Sequence, residues 1–206
     1  MNFEDVRATV ERYYAGRIAE FGASSRGVDW NSQESQYLRF EQLLKVVDVQ
    51  RETPFSLLDY GCGYGALLDI LERAFPAASY VGFDLSTDMV REARRQHPTA
   101  EFTDRTSQLT RADYTVASGL FSVKLDASIE RWEAYIRDTI ESIAAVTERG
   151  FAFNMLTKYS DADRMRDDLY YGDPHVWFDY CRTKYSKRIA LLHDYPLYEF
   201  ALIVRP

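Results

Sequence analysis

Residues 55–69 read FSLLDYGCGYGALLD. The apolar run Phe55-Ser56-Leu57-Leu58 meets an acid, Asp59. Gly61, Gly63 and Gly65 then alternate with Cys62 and Tyr64, and an apolar, helix-like segment follows. An apolar run ending in closely spaced glycines reads as a buried parallel strand, a glycine turn and the first turns of a helix. Glycine has no Cβ and reaches positive φ, so such a turn lets a large ligand lie against bare backbone. The new helix turns its free N–H groups toward the same ligand.

The spacing Gly61-x-Gly63-x-x-Ala66 fits the dinucleotide fingerprint, so NAD is one reading. Asp59 argues against it. A carboxylate at the strand's carboxyl end repels a pyrophosphate but accepts hydrogen bonds or attracts a cation. Gly65 keeps the backbone near the ligand for longer than the fingerprint needs. Asp59-Tyr60-Gly61-Cys62-Gly63-Tyr64-Gly65 resembles motif I of the class I S-adenosylmethionine (SAM)-dependent methyltransferases. SAM carries an amino acid group and a sulfonium where a dinucleotide carries a pyrophosphate, which suits an acidic strand end.

Ser79-Tyr80-Val81-Gly82-Phe83-Asp84 is a second apolar strand ending in an acid. The distance from Asp59 leaves room for a turn, a helix over 66–75 and a return, which is one βαβ unit. A carboxylate at that strand end is placed to take both hydroxyls of an adenosine ribose. Ser86 then caps a helix over 87–96, with Asp88 in its first turn. This segment resembles the family's second motif.

Composition agrees. A chain of 206 residues with 46% hydrophobic content suits one α/β domain, 1–206. No apolar run approaches the roughly 18 residues of a transmembrane helix. The start, Met1-Asn2-Phe3-Glu4-Asp5, is acidic and then helical, unlike a signal peptide. Two cysteines, Cys62 and Cys181, make no disulfide framework, and a cytoplasmic setting is the expectation. Net charge is −7, and the nearest basic grouping is Arg91, Arg94 and Arg95 on one helix. Nucleic acid is therefore an unfavoured partner and a small molecule the favoured one, with a monomer or homodimer as the assembly. No metal site is expected.

Along the chain, Phe3, Val6, Val10, Tyr13 and Tyr14 recur at helical spacing and predict a helix over 3–21, stopped by Gly22. Asn31 with Glu34 predicts a capped second helix to about Val47. Both precede the first strand, so 1–48 is expected to cap the carboxyl edge of a sheet built from 49–206. Weak and stronger strands are expected at 100–103 and 113–118, and a helix over 129–146 ended by Gly150. A fifth strand is expected at 151–155. An aromatic insert over 156–186 is expected to be helical in two pieces. Two runs joined by Asp194-Tyr195-Pro196-Leu197 predict a terminal antiparallel hairpin. The fold class predicted is a Rossmann-like, seven-stranded, mostly parallel sheet with that hairpin, helices on both faces and an N-terminal helical cap.

The resemblance covers 52–206. It implies that Asp59, Gly61, Cys62, Gly63 and Gly65 line the methionine end of SAM. Asp84 then holds the ribose, Leu85 and Met89 flank the adenine, and Asp104 stands near its amino group. Ser118-Gly119-Leu120-Phe121 closes the fourth strand where relatives that methylate exocyclic amines carry Asn-Pro-Pro-Tyr or Asp-Pro-Pro-Tyr; that signature is absent. Ser118 and Phe121 are expected beside the methyl-transfer channel. The cap offers Tyr14, Trp30 and Arg39, with Arg39 the first choice for the SAM carboxylate.

The chain's 15 tyrosines are many for its length, and several fall in the insert with Trp177. Tyr159, Tyr171 and Trp177 are expected as acceptor-pocket walls, flat and apolar with hydrogen-bonding tips. His175, the one histidine in the insert, is the candidate general base. The function expected is methyl transfer from SAM to a small molecule, at oxygen in preference to nitrogen or carbon. A SAM-binding regulatory subunit and an NAD-dependent reductase are the alternatives. Against the reductase stand Asp59 and the hairpin.

Overall fold

The computed structural model describes residues 3–28 and 32–206. Its seven strands are β1 (Phe55–Tyr60), β2 (Ala78–Phe83), β3 (Glu101–Thr103), β4 (Ala112–Ala117), β5 (Thr147–Leu156), β6 (Arg188–Leu192) and β7 (Glu199–Arg205). They form one sheet in the order β3-β2-β1-β4-β5-β7-β6. The first five pair in parallel, and β7 runs antiparallel to both β5 and β6. The predicted terminal hairpin is present. Strand order reverses between β1 and β4, and a ligand crevice opens at the carboxyl ends there.

Six α-helices accompany the sheet among the described residues: α1 (Phe3–Phe21), α2 (Gln33–Leu44), α3 (Leu67–Ala74), α4 (Thr87–Gln96), α5 (Ile129–Ala145) and α6 (Pro174–Lys184). Side chains alternate across the strands and feed two cores. Phe151, Phe153 and Met155 of β5, with Phe200, Leu202 and Val204 of β7, meet Trp132 and Ile136 of α5 and Trp177 of α6. The intervening Ala152, Ala201 and Ile203 meet Phe40 and Leu43 of α2 and Leu67 and Leu71 of α3. Period-two alternation on a sheet buried on both sides produces this division.

The expected cap divides in two. Helix α2 buries Phe40, Leu43 and Leu44 and is a layer of the sheet, not a lid. Ser32 caps it through the Ser35 N–H, and it ends at Leu44, short of Val47; Asn31, the expected cap, lies outside the described residues. Helix α1 does cross the edge: Val6 enters the α5–α6 core and Ile18 the α2–α3 core. Gly22, at φ 63°, stops α1 as predicted.

Two further expectations shift. Gly150 lies inside β5, which begins at Thr147, so the long helix stops before it. A Cβ on Gly150 would sit 3.0 Å from Val46 Cγ2, which is why a glycine occupies that strand position. In the insert only α6 is an α-helix; the earlier part makes a short 3-10 turn, Ala162–Arg164. Between β3 and β4 the chain makes only a 3-10 turn, Thr106–Gln108.

Candidate active site

The glycine turn is built by continuing the sheet. The N–H groups of Gly61 and Cys62 both donate to Phe83 O, at 2.7 and 2.9 Å, beyond the last β1–β2 pair. Gly61 has φ 86°, which requires glycine, and a Cβ there would also press on the Leu120 side chain. The turn forms the floor of a cavity of about 450 Å³.

Two carboxylates stand in that cavity's wall. Asp59, buried at the end of β1, accepts a hydrogen bond from the Tyr80 hydroxyl at 2.9 Å. Burial pushes its carboxyl up to about 7, against the pull of Tyr80, and the neighbouring Asp84 adds to the rise. Asp84, just after β2, accepts from the N–H of Gly63 and of Ser86, both at 2.9 Å. Burial raises it to about 6, and those two N–H bonds oppose the rise. An acid held protonated by desolvation recovers its charge when a cation approaches.

The roof comes from α1. Arg7, Val10, Glu11 and Tyr14 line the cavity, and their spacing places them on one helical face. Tyr60, Phe83, Leu109 and Tyr135 extend it beneath the short β3–β4 connection.

A second cavity of about 490 Å³ shares Tyr14, Val28 and Gly119 with the first. Its other walls include Arg39, Arg164, Arg166, Tyr171 and Tyr198, with Leu156, Leu169 and Leu197. Between the two lies the loop after β4. The Gly119 N–H donates to Asn154 Oδ1 at 2.8 Å, and Asn154 Nδ2 donates to Glu199 Oε1 at 3.0 Å. Glu199 in turn pairs with Arg39 Nε at 2.6 Å. A buried polar chain thus ties this loop through β5 and β7 to α2.

Comparison with known proteins identifies the family. The profile of the family described as "Methyltransferase domain" matches residues 57–150. Rv1506c of Mycobacterium tuberculosis (strain ATCC 25618 / H37Rv), named as a methyltransferase, is 49% identical over 160 residues, 76% of this chain and 96% of that protein. The chain belongs to the class I SAM-dependent methyltransferases.

The trans-aconitate 2-methyltransferase of Afipia carboxidovorans (strain ATCC 49405 / DSM 1227 / KCTC 32145 / OM5) is 35% identical over 80 residues, 36% of this chain and 30% of that enzyme. Among solved structures, the DhpI-SAM-HEP complex aligns with TM-score 0.65 at 16% identity, over 97% of each chain. Human N-acetylserotonin methyltransferase in complex with SAM aligns with TM-score 0.66 at 14% identity, over all of this chain and 60% of that one. These structural likenesses are likenesses of fold.

The methyltransferase's first cavity fits SAM. Ser118 Oγ is buried at its edge with no hydrogen-bond partner among the described residues, an acceptor or donor left for a ligand. Gly61, at φ 86°, and Gly63, at φ 54°, hold the turn's backbone in the cavity lining. Two acids, Asp59 and Asp84, match a donor that carries an ammonium, a sulfonium and a ribose.

Of the residues expected to hold the cofactor, Asp59, Gly61, Cys62, Gly63, Asp84, Leu85, Met89, Ser118 and Tyr14 do line this cavity. Gly65 does not. At φ 86°, a Cβ on it would meet Phe102 of β3 and His97 after α4 at 3.0 Å, so it serves the close packing behind the turn. Asp104 also stands outside, accepting from Thr87 Oγ1 at 3.0 Å, while Thr106 and Leu109 take the wall beyond β3. Arg39 faces the second cavity and spends its charge on Glu199. The cation in the cofactor cavity is Arg7, whose charge reaches Tyr60 and Tyr135. Trp30 lies outside the described residues.

The acceptor expectations divide likewise. Tyr171 lines the second cavity. Phe121 is 0% exposed and packs edge-on against Phe153, so it is core and not channel. Trp177 is also 0% exposed, its Nε1 donating to the Tyr170 hydroxyl at 3.0 Å. Tyr159 is exposed and stacks toward His193. His175 opens α6 with its side chain 75% exposed, 3.8 Å from Asp173, and lines neither cavity.

Proposed function

We propose that the protein is an active methyltransferase that passes the SAM methyl group to an oxygen of a small molecule. The observation carrying this reading is the pair of adjoining cavities. One is acidic and floored by the glycine turn; the other, about 490 Å³, has the scale of a small-molecule pocket. They meet at Tyr14 and Gly119, so a donor in one and an acceptor in the other face each other across that wall.

In this reading Asp84 holds the ribose hydroxyls and Asp59 the polar methionine end, with Arg7 the nearest cation for the carboxylate. SAM supplies an electrophilic methyl group on a sulfonium. The protein's part is alignment and exclusion of water, which are worth orders of magnitude for a displacement needing in-line approach. No histidine lines either cavity among the described residues, so proton removal by imidazole is not part of the proposal. Support for oxygen comes from Ser118-Gly119-Leu120-Phe121 in place of an amine-methylating Pro-Pro-Tyr loop. The relatives named as trans-aconitate methyltransferases, matched over 36% of this chain, support a small-molecule acceptor.

The test is incubation with SAM carrying a ¹³C methyl group and a library of small alcohols, phenols, acids and amines, read by mass spectrometry and NMR. Labelled methyl on oxygen is the expected product. Labelled methyl on nitrogen or carbon alone would contradict the oxygen assignment.

A further inference from the structure

The charged side chains that line the two cavities are mostly of opposite sign. Among the described residues, the cofactor cavity is lined by Asp59, Asp84 and Glu11 against one cation, Arg7. The second is lined by Arg39, Arg164 and Arg166 and by no carboxylate among the described residues. In a chain of net charge −7, a carboxylate-free cavity with three arginines is not what composition alone produces.

The arginines differ in what they offer. Arg39 stands at the back, its charge met by buried Glu199. Arg166 forms a two-pronged pair with Asp168 outside the cavity lining, both side chains partly exposed. Arg164 is 70% exposed, and its nearest acid, Asp163, is 3.8 Å away and 80% exposed. The exposed Arg164–Asp163 pair is weak and exchanges readily for a better-placed anion, whereas Arg166 must share or open its two-pronged pair to reach one. Asp161 accepts from the Tyr198 hydroxyl, which fixes that ring in the wall.

We infer that this cavity receives a small carboxylic acid as the methyl acceptor, its charge gripped by Arg164 and Arg166. The inference rests on the proposed methyltransferase reading of the adjoining site. Guanidinium forks match carboxylates in pairs of parallel hydrogen bonds. Leu156, Leu169 and Leu197 take the apolar body. An acid of this kind also answers the missing base. Its oxygen is already ionised near neutral pH. That oxygen's electron pair makes the new bond to the methyl carbon, the sulfonium sulfur keeps the pair of the bond that breaks, and no proton leaves the acceptor. The product is a neutral ester that the arginines hold less well.

Calorimetry tests this. S-adenosylhomocysteine is titrated into the protein first. Succinate, benzoate and hexanoate follow, each against its neutral amide, with and without S-adenosylhomocysteine. At least one acid should bind about 10-fold or more tightly than its amide. Arg164→Gln combined with Arg166→Gln should lose about 10- to 100-fold of that acid's affinity, as expected for charge-assisted bonds, with S-adenosylhomocysteine affinity and thermal midpoint unmoved. Acids that bind no better than amides, or as well to the double variant, would overturn the inference and leave the donor site standing. Acid preference without any S-adenosylhomocysteine binding would keep the anion site and overturn the donor reading instead.

Discussion

Asp59 is the residue whose state a ligand should change most. Its carboxyl titrates at about 7 in the folded protein, against an ordinary value of 3.8, because burial disfavours the charge. The folded chain therefore holds a proton that the unfolded chain has lost. Stability from this group is full below about pH 4 and falls as pH rises through about 7. Asp84, raised to about 6, acts with the same sign. A cation placed beside both acids should drive the proton out. Calorimetric titration of SAM near pH 6.5, in buffers of different ionisation enthalpy, should show proton release that vanishes above about pH 8. Asp59→Asn should remove most of it, and no release from the unaltered protein would contradict the account.

His175 points the other way. Exposed at the start of α6 and away from both cavities, it should tolerate His175→Ala with kcat and KM within about twofold of the parent, the usual range for a surface change. A fall of about 100-fold, the scale of general-base loss, would restore it to the mechanism. The strand-end acids and the glycines are legible from sequence because their chemistry is local: a backbone turn and a carboxylate two residues apart. Trp177, Phe121 and Arg39 are not, because an aromatic or a cation reads identically whether its partner is a ligand, a core or Glu199. Arg7 and Glu11 are a different case. They share a helical face with Tyr14, a signal present in the chain but masked by reading α1 for its apolar stripe alone.

Among the elements, α2 departs furthest from its expected role. A helix before the first strand reads as a cap, yet its Phe40 and Leu43 pack with strands β4, β5 and β7 in one core. Arg39 adds a polar tie to Glu199, which is 1% exposed. Removing one partner of a buried pair strands the other's charge. Arg39→Met should therefore cost about 3–5 kcal/mol in denaturant unfolding, and adding Glu199→Gln should recover most of that loss. A double variant no more stable than Arg39→Met would mean that the loss does not come from a charge stranded on Glu199. The strands themselves, β3 most weakly, are legible because apolar alternation and turn residues bound them. Strand β5 runs longer than its sequence signal, since Thr147 and Gly150 extend it by fitting beside β4 and Val46.

For the whole molecule, two layers hold the sheet while α1 bridges its carboxyl edge. Removal of 1–22 should leave a cooperative unfolding transition but weaken SAM binding, because the Arg7, Glu11 and Tyr14 face goes with it. Removal of 1–47 should abolish cooperative unfolding, because α2 carries part of the core. A folded 1–47 deletion with intact SAM affinity would overturn this division. The most direct test of the account is calorimetric titration of the intact protein with SAM and, separately, NAD. One SAM site is expected, with no NAD binding, and for Asp84→Ala a loss of about 1.5–3 kcal/mol, the range for hydrogen bonds to a charged group. Binding of NAD without SAM, or SAM binding unmoved by Asp84→Ala, would contradict it.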